Sequence, residues 1–409
     1  MRILYVVPAY KPAYRMGGLV FAVAAAAERL VDKGHEVIIF STTANLNEDL
    51  NVPVNRPLLV DGVEVWYFRR DEPLQRYLPF VPYLTRSMGF MYCPDLNKAL
   101  RRVVPTVDAV NTHLPFIYPT YAAARMAVRA GIPLFYHQHG GFNPGSLRFR
   151  SVKKNLYLNL FEKPIMKRST TLIALTEAER KSYRTLVGDR PCAVIPNGID
   201  VTTDRLHAAE RVRERFGIDQ NAPLILFMGR FHPQKGAQRL IEAFTHIADR
   251  HRDAVLMIAG SDEWSLLARW RELAESGQFG DRIIFPGMLD GEEKADVLAR
   301  ADLFALPSLG EGFSMAVLEA LASRTAVMLS PGCNFPEVVA AGAGVVVEAE
   351  VNAMAAELSR LLGNPEALRA MGEAARPFVE TYYSWDVIAD RLVDVYSEGI
   401  ARHRSRASK

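Results

Sequence analysis

Apolar residues along the chain fall into short continuous runs separated by stretches with helical spacing. In the first half the runs are Ile3 to Val7, Glu36 to Phe40, Val63 to Phe68, Val107 to Asn111, Leu134 to Tyr136, Thr171 to Leu175 and Ala193 to Ile195. Each is rich in β-branched or aromatic residues and is bounded by Gly, Pro or polar residues, which predicts strands. Between them, Leu19 to Val31 is Ala-rich and stops at Lys33-Gly34, while Thr176 to Val187 opens on Thr176 and Glu179 at capping-box spacing. Alternation of strand and helix predicts a parallel sheet.

The second half repeats the pattern, with runs at Leu224 to Met228, Val255 to Ala259, Ile283 to Phe285, Leu303 to Leu306, Val327 to Leu329 and Gly344 to Val347. Parallel strands covered on both faces lose polar alternation and become continuous apolar runs, so a doubly wound α/β sheet is expected here. A chain of 409 residues exceeds the size at which single cores stop growing. The boundary is placed after Pro196-Asn197-Gly198-Ile199-Asp200, giving domains 1–200 and 201–382 with a cleft between them as the natural ligand site. Trp385 to Ile400 reads as a helix, and the basic tail Arg402, Arg404, Arg406 and Lys409 is expected to fray.

Composition narrows the class. Hydrophobic residues make up 49% and charged residues 23%, an ordinary globular balance, and a net charge of +3 is too small to argue for a nucleic-acid partner. Cys93, Cys192 and Cys333 are isolated and odd in number, so they read as buried small hydrophobes of a reducing compartment. The apolar run Met1 to Val7 ends at Pro8, far short of the about 20 residues that span a bilayer, and has no cleavage site. A cytoplasmic location is expected.

The strongest chemical signal is Pro307-Ser308-Leu309-Gly310-Glu311-Gly312-Phe313-Ser314-Met315-Ala316-Val317-Leu318-Glu319-Ala320, a loop that follows a buried strand and opens a helix. Gly312, Phe313 and Ser314 lead into a helix amino terminus, whose free N–H groups and dipole favour phosphate or sugar oxygens. Glu311 and Glu319 can each accept hydrogen bonds from a separate hydroxyl pair of an extended ligand. The bland alternative makes Glu311 a helix cap and Glu319 a solvated side chain. Upstream, Gly229-Arg230-Phe231-His232-Pro233-Gln234-Lys235-Gly236 places a forked and a point cation, Arg230 and Lys235, beyond a strand end where a diphosphate would lie, surface cations flanking the strand being the alternative. Such cations can stabilise a leaving diphosphate without a metal, and the chain has no Asp-x-Asp motif, so neither metal nor cofactor is expected.

Weaker signals lie in the first half. Gly17-Gly18 permits close approach of backbone to an anion, or is a simple helix-entry turn. His113, His137 and His139 fall at or beyond strand ends, and His139, followed by Gly140-Gly141, is the best candidate for contact with a sugar ligand; a structural role is the alternative for each, and the favoured one for His113 and His137. Arg148, Arg150, Lys153, Lys154, Lys163, Lys167 and Arg168 oppose only Glu162. Phe149, Val152, Leu156 and Leu160 form a stripe expected in the core; Arg150, Lys154, Tyr157 and Phe161 form one expected at an interface with an anionic membrane or a lipid diphosphate, a solvated charged face being the alternative. No Walker loop and no GxGxxG after a strand is present.

Together, the Gly17-Gly18 loop, His139-Gly140, Pro196 to Asp200, Gly229-Arg230 with Lys235-Gly236, the Glu311 to Glu319 element, Pro336-Glu337 and the Trp385 helix resemble the retaining glycosyltransferase family 4. The resemblance implies the GT-B architecture: two Rossmann-like domains facing a central cleft, the first an acceptor domain, the second a donor domain, with the last segment, from about Tyr383, crossing back onto the first. It further implies that Arg230 and Lys235 hold the diphosphate, Glu319 the ribose and Glu311 the donor sugar, with His139 bonding the sugar and Gly18 approaching the phosphates. A metal-independent hexosyl transfer from a UDP or GDP sugar to a saccharide, lipid-linked on polyprenyl diphosphate, is then expected at the cytoplasmic membrane face, in cell-surface polysaccharide synthesis. A sugar-nucleotide epimerase or a phosphorylase of the same fold is the alternative. One departure stands out: where the family often has Gly-Gly-x-Pro-Glu, this chain has Gly332-Cys333-Asn334-Phe335-Pro336-Glu337, which leaves the sugar unnamed.

Overall fold

The computed structural model describes every residue except 47, 71–90, 143–154, 202–204, 206, 277–278 and 408–409. The chain forms two compact units, Met1–Gly198 with Trp385–Lys409, and Ile199–Ser384. The first contains β1 (Arg2–Val6), β2 (Glu36–Thr42), β3 (Ala44–Asn45), β4 (Glu48–Asp49), β5 (Pro57–Val60), β6 (Val63–Phe68), β7 (Ala109–His113), β8 (Leu134–His137), β9 (Thr171–Ala174) and β10 (Cys192–Val194). Its main sheet runs β10-β9-β8-β7-β1-β2-β6-β5, and β3 and β4 form a separate ribbon.

Seven of these eight strands are parallel, but β5 pairs antiparallel with β6, which corrects the expectation of a purely parallel sheet. The cause is local. Asp61 and Gly62 both take positive φ, 48° and 81°, the geometry of the tight hairpin turn that Asp-Gly favours. The central β1 residues Ile3, Leu4 and Val6 are completely buried, because helices cover both faces.

One covering layer pairs the helix Gly18–Asp32 with the helix Trp385–Ala407. The Tyr396 hydroxyl bonds Tyr5 Oη at 2.7 Å and accepts from Asn111 Nδ2 at 2.7 Å, so a buried polar network fixes the last helix on the sheet. Gly399 lets it approach closely: a Cβ there would stand 2.5 Å from Phe135 Cζ. The basic tail does not fray. The helix continues to Ala407, Arg402 donates to Thr171 Oγ1 at 2.8 Å and Arg404 to Asp108 at 3.1 Å, while Lys409 lies outside the described residues.

The stripes around residue 160 also need correction. Leu156 and Leu160, expected in the core, are 61% and 59% exposed, and the buried positions are Leu158, Ile165 and Met166. Leu156 and Leu160 do share one face, as their spacing requires, but that face meets solvent: the core takes the neighbouring stripe Leu158, Glu162, Ile165 and Met166, through a segment, Leu158–Glu162, that is π-helical. Phe161 is 38% exposed; Arg148, Phe149, Arg150, Val152, Lys153 and Lys154 lie outside the described residues. Cys93 and Cys333 are buried, but Cys192 on an edge strand is partly exposed.

The second unit holds β11 (Leu224–Met228), β12 (Val255–Ala259), β13 (Ile283–Gly287), β14 (Leu303–Leu306), β15 (Ala326–Leu329) and β16 (Gly344–Val346). All pairs are parallel, in the order β13-β12-β11-β14-β15-β16. This is the doubly wound dinucleotide-fold order, and it reverses direction between β11 and β14. Its ends are tied together where Ile199 N donates to Tyr383 O at 2.8 Å.

Candidate functional site

In the second unit the two predicted chemical loops both leave the carboxyl ends of strands at that reversal, where open α/β sheets bind ligands. The segment after β11 turns through Pro233–Lys235 and enters the helix Ala237–Thr245; the segment after β14 enters the helix Met315–Ala322. Gly236, at φ 81°, lets the loops touch: a Cβ would stand 2.2 Å from Pro307 O. Leu309 N donates to Gln234 O at 2.8 Å and closes the contact.

That clasp puts Lys235 Nζ 2.8 Å from both carboxylate oxygens of Glu311. The Glu311 side chain is 9% exposed and the Lys235 side chain 24%, so the pair is partly desolvated. Glu311 is held from behind by the segment that departs from the family pattern. Its N–H donates to Gly332 O at 2.8 Å, and Asn334 Nδ2 donates to Glu311 O at 2.9 Å from a left-handed backbone position, φ 54°. Gly332 is required where a Cβ would stand 2.2 Å from Ser308 O. The next residue, Phe335, packs on Phe313 and Tyr383, with ring centroids at 5.1 and 5.2 Å.

Glu319 accepts from Lys294 Nζ at 2.8 Å. Lys294 carried no local signal, because it sits in a charged Gly-Glu-Glu-Lys run on a different helix, Gly291–Arg300, and looks solvated in sequence. Arg230 stays open, its side chain 71% exposed and 3.9 Å from Glu263. Ser314 precedes the helix Met315–Ala322 without a side-chain capping bond, and Gly312 and Phe313 are half-buried beside it, so the helix start presents N–H groups.

The first unit reverses strand order between β1 and β7. Gly17, at φ 85°, leads from the loop after β1 into the helix that begins at Gly18. His113 ends β7, His137 ends β8, and His139 follows in a left-handed turn, φ 46°. The three rings form one stack: His137 and His139 have centroids 3.7 Å apart, His113 and His139 5.0 Å, and His113 Nδ1 lies 2.8 Å from His139 Nε2. Burial pushes the His139 imidazole down to about 3 and holds His113 and His137 well below the usual histidine value, with neighbouring imidazoles acting in the same direction. The cluster is neutral at working pH. Nε2 of His113 and Nε2 of His137 are buried without a hydrogen-bond partner.

Among the described residues these imidazoles are the one group with metal-ligand atoms close together, within 4.8 Å. Their planes are inclined by 20° and 23°, so the in-plane lone pairs run side by side rather than toward a shared point. The arrangement suits hydrogen bonding better than chelation.

Sequence reasoning named Glu162 and Glu179 but did not foresee that both are buried, at 2% and 1% exposure. Glu162 accepts from Phe116 N at 2.8 Å and from the Tyr136 hydroxyl. Glu179 does not close a capping box: its N–H donates to Thr176 Oγ1 at 3.2 Å, but its carboxylate turns to Leu175 N at 2.7 Å and Gly140 N at 2.5 Å.

Comparison with known proteins matches the same two halves. The family model "Glycosyltransferase Family 4" covers residues 16–203, and the model "Glycosyl transferases group 1" covers 208–378. A GDP-mannose-dependent monoacylated alpha-(1-6)-phosphatidylinositol monomannoside mannosyltransferase of Corynebacterium glutamicum is 29% identical over 55% of this chain and 61% of its own. A phosphatidyl-myo-inositol mannosyltransferase of Mycobacterium tuberculosis is 29% identical over 60% of this chain and 65% of its own. The match thus spans less than two thirds of each relative's length. Among solved structures, sucrose-phosphate synthase from Thermosynechococcus elongatus superposes with a TM-score of 0.74 at 19% identity, covering 98% of this chain and 100% of that one. HepE of Anabaena, in complex with UDP and glucose, gives 0.72 at 17% identity, covering 97% and 100%. With the two family models adjoining across most of the sequence, and the structural neighbours sharing the fold, the chain belongs to glycosyltransferase family 4 and has the GT-B fold.

Proposed function

We propose that this chain transfers a hexose from a nucleoside-diphosphate sugar to a saccharide or glycolipid acceptor, with retention at the anomeric carbon and without a metal. The observation that carries this reading is the Lys235–Glu311 pair at the strand-order reversal, 2.8 Å from nitrogen to each oxygen. A bound donor would divide the pair. Lys235 and Arg230 would take the diphosphate, helped by N–H groups from Gly312 to Ser314, and Glu311 would be freed to accept from sugar hydroxyls. Glu319, released from Lys294, would accept from the ribose, and Gly18 would bring backbone toward the phosphates.

In the reaction the bond from the anomeric carbon to the phosphate oxygen breaks and one to the acceptor oxygen forms on the same face. The acceptor's proton passes to the departing phosphate. Charge growing on that phosphate is what fixed cations stabilise most. His139, neutral and oriented by the ring stack, would offer the sugar a hydrogen bond without adding charge.

The activities of the relatives, one GDP-mannose-dependent and both on phosphatidylinositol-type acceptors, support a lipid-linked acceptor, and the UDP complexed with HepE keeps both bases in view. No helix among the described residues is long and apolar enough to cross a membrane. Exposed Leu156, Leu160 and Phe161 beside Lys163, Lys167 and Arg168 support contact with an anionic membrane surface, which on this reading is the cytoplasmic face.

The test is incubation with UDP-, GDP- and dTDP-sugars, with and without a membrane lipid extract in EDTA, following nucleotide release and product anomer by NMR. Release coupled to an α-linked product from an α-linked donor is expected. Epimerised donor, phosphate-dependent cleavage, or no turnover with any donor would overturn the reading.

A further inference from the structure

The turn that carries His139 is backbone under constraint. His139 and Gly140 take consecutive left-handed conformations, φ 46° and 77°, and such a conformation is costly for a non-glycine residue unless its surroundings hold it. Gly141 is equally committed: a Cβ there would stand 2.3 Å from Pro115 Cγ. The turn is closed by Gly141 N donating to Gln138 O at 3.0 Å and by the contact of His139 with His113, and one further side chain reaches the amide at its centre.

Glu179 lies in the first turn of the helix Glu177–Val187 and is 1% exposed. Its Oε1 accepts from Gly140 N at 2.5 Å, and its Oε2 from Leu175 N at 2.7 Å, at the end of β9. Its own carbonyl accepts from Gln138 Nε2 at 3.4 Å, and Gln138 Oε1 accepts from Phe142 N at 3.1 Å, so both flanks of the turn are tied to one residue. A buried carboxylate that accepts from two backbone N–H groups, with no cation beside it among its hydrogen-bond partners, is costly for stability alone.

Resting on the proposed role of His139, we infer that Glu179 is a positioning residue for sugar transfer: by accepting from Gly140 N it holds His139 in its left-handed turn, with the ring aimed as the transferred sugar requires. The capping-box spacing of Glu179 is therefore put to another use. Thr176 caps the helix by itself, and the carboxylate reaches out of the helix to the next strand's turn.

The pH dependence follows. Burial pushes the Glu179 carboxyl up to about 7, against the two amide bonds that favour its charge. The titratable groups in its field are Tyr183 on the same helix and Cys192 on β10, both raised by burial, Cys192 to about 12, so neither carries charge near neutrality. His139 beside it is neutral as well. For an acid with a raised value, the doubly accepting carboxylate exists above about 7; as pH falls through it, one oxygen gains a proton and the turn loses an acceptor.

The experiment compares Glu179→Gln and Glu179→Ala in the natural chain and in His139→Ala, measuring kcat, KM for the donor, melting temperature and the exchange rate of the Gly140 amide. Glu179→Gln is nearly isosteric but turns an N–H toward a backbone N–H. The expected result is a fall in kcat of about 10²-fold, the scale of a misplaced contact, with faster Gly140 exchange. In His139→Ala the same change should cost less than about threefold, since the group it positions is gone. An acidic limb near neutrality in kcat should vanish in Glu179→Gln. Unchanged kcat in a folded Glu179→Gln protein, or an equal loss with and without His139, would overturn the inference. If His139→Ala alone kept full activity, the reading of His139 would fall first, and Gly140 exchange would still report whether Glu179 holds the turn.

Discussion

The two units place their chemistry at the same topological position and build it from opposite materials. At the β11/β14 reversal stand ion pairs, Lys235 with Glu311 and Lys294 with Glu319, each linked at 2.8 Å and still touching solvent. At the β1/β7 reversal stand three stacked, neutral, desolvated imidazoles beside a cavity of about 20 Å³, room for a single water. Ion pairs of this kind are replaceable, since a dianionic ligand can take the lysine and hydroxyl groups can take the carboxylate. A buried neutral ring cannot be screened or exchanged; it serves by position. One unit is thus suited to meeting charge that changes during a reaction, the other to orienting a group that does not ionise.

The sharpest way to break this contrast is to remove its charged half. Lys235→Ala or Glu311→Gln should lower kcat about 10²- to 10³-fold, the cost of losing one group that meets developing charge, with the melting temperature nearly unchanged. Steady-state kinetics beside thermal unfolding checks this; full activity in either variant would remove the site from this loop. Gly236→Ala should lose both activity and stability, because its Cβ would meet Pro307 O at 2.2 Å and force the two loops apart.

A smaller effect is expected one helix turn deeper. Glu319→Gln should raise KM for the donor about tenfold, the lower end for a hydrogen bond to a charged group, with kcat little altered. Lys294→Ala, which frees Glu319 from competition, should do less or even tighten binding; a loss equal to that of Glu319→Gln would mean that Lys294 itself touches the donor.

On the neutral side, the His139 ring is pushed down to about 3, so it should show no titration between pH 5 and 8 in 15N-edited NMR. A midpoint near the ordinary histidine value would mean that the stack is solvated. The smallest effect concerns stability: removing residues 401–409 should lower the melting temperature by about 2–4 °C per kcal/mol lost, through the Arg402–Thr171 and Arg404–Asp108 bonds.

Much of the fold was legible because buried parallel strands announce themselves as apolar runs. Each expected run contains or overlaps a strand. The miss at β5 came from passing over Asp61-Gly62, a local hairpin signal that was there to read. The miss at Leu156 and Leu160 was of another kind: spacing correctly put the two on one face, but the adjacent stripe Leu158, Ile165 and Met166 competes for the core, and spacing does not say which of two apolar faces is buried. The fraying tail was misjudged since its arginines find partners more than 200 residues away in sequence, Thr171 and Asp108.

The sequence by itself determined the alternation of strands and helices and the placing of cations and carboxylates at strand ends, because hydrophobic period and loop chemistry are local properties. Only the tertiary structure decided which charges meet. Lys235 and Glu311 are 76 positions apart and Lys294 and Glu319 are 25 apart, brought together by strand order rather than by spacing. It likewise decided that Glu179 serves a turn 39 positions upstream instead of its own helix, because a carboxylate taken out of water bonds whichever N–H groups the packing leaves within reach.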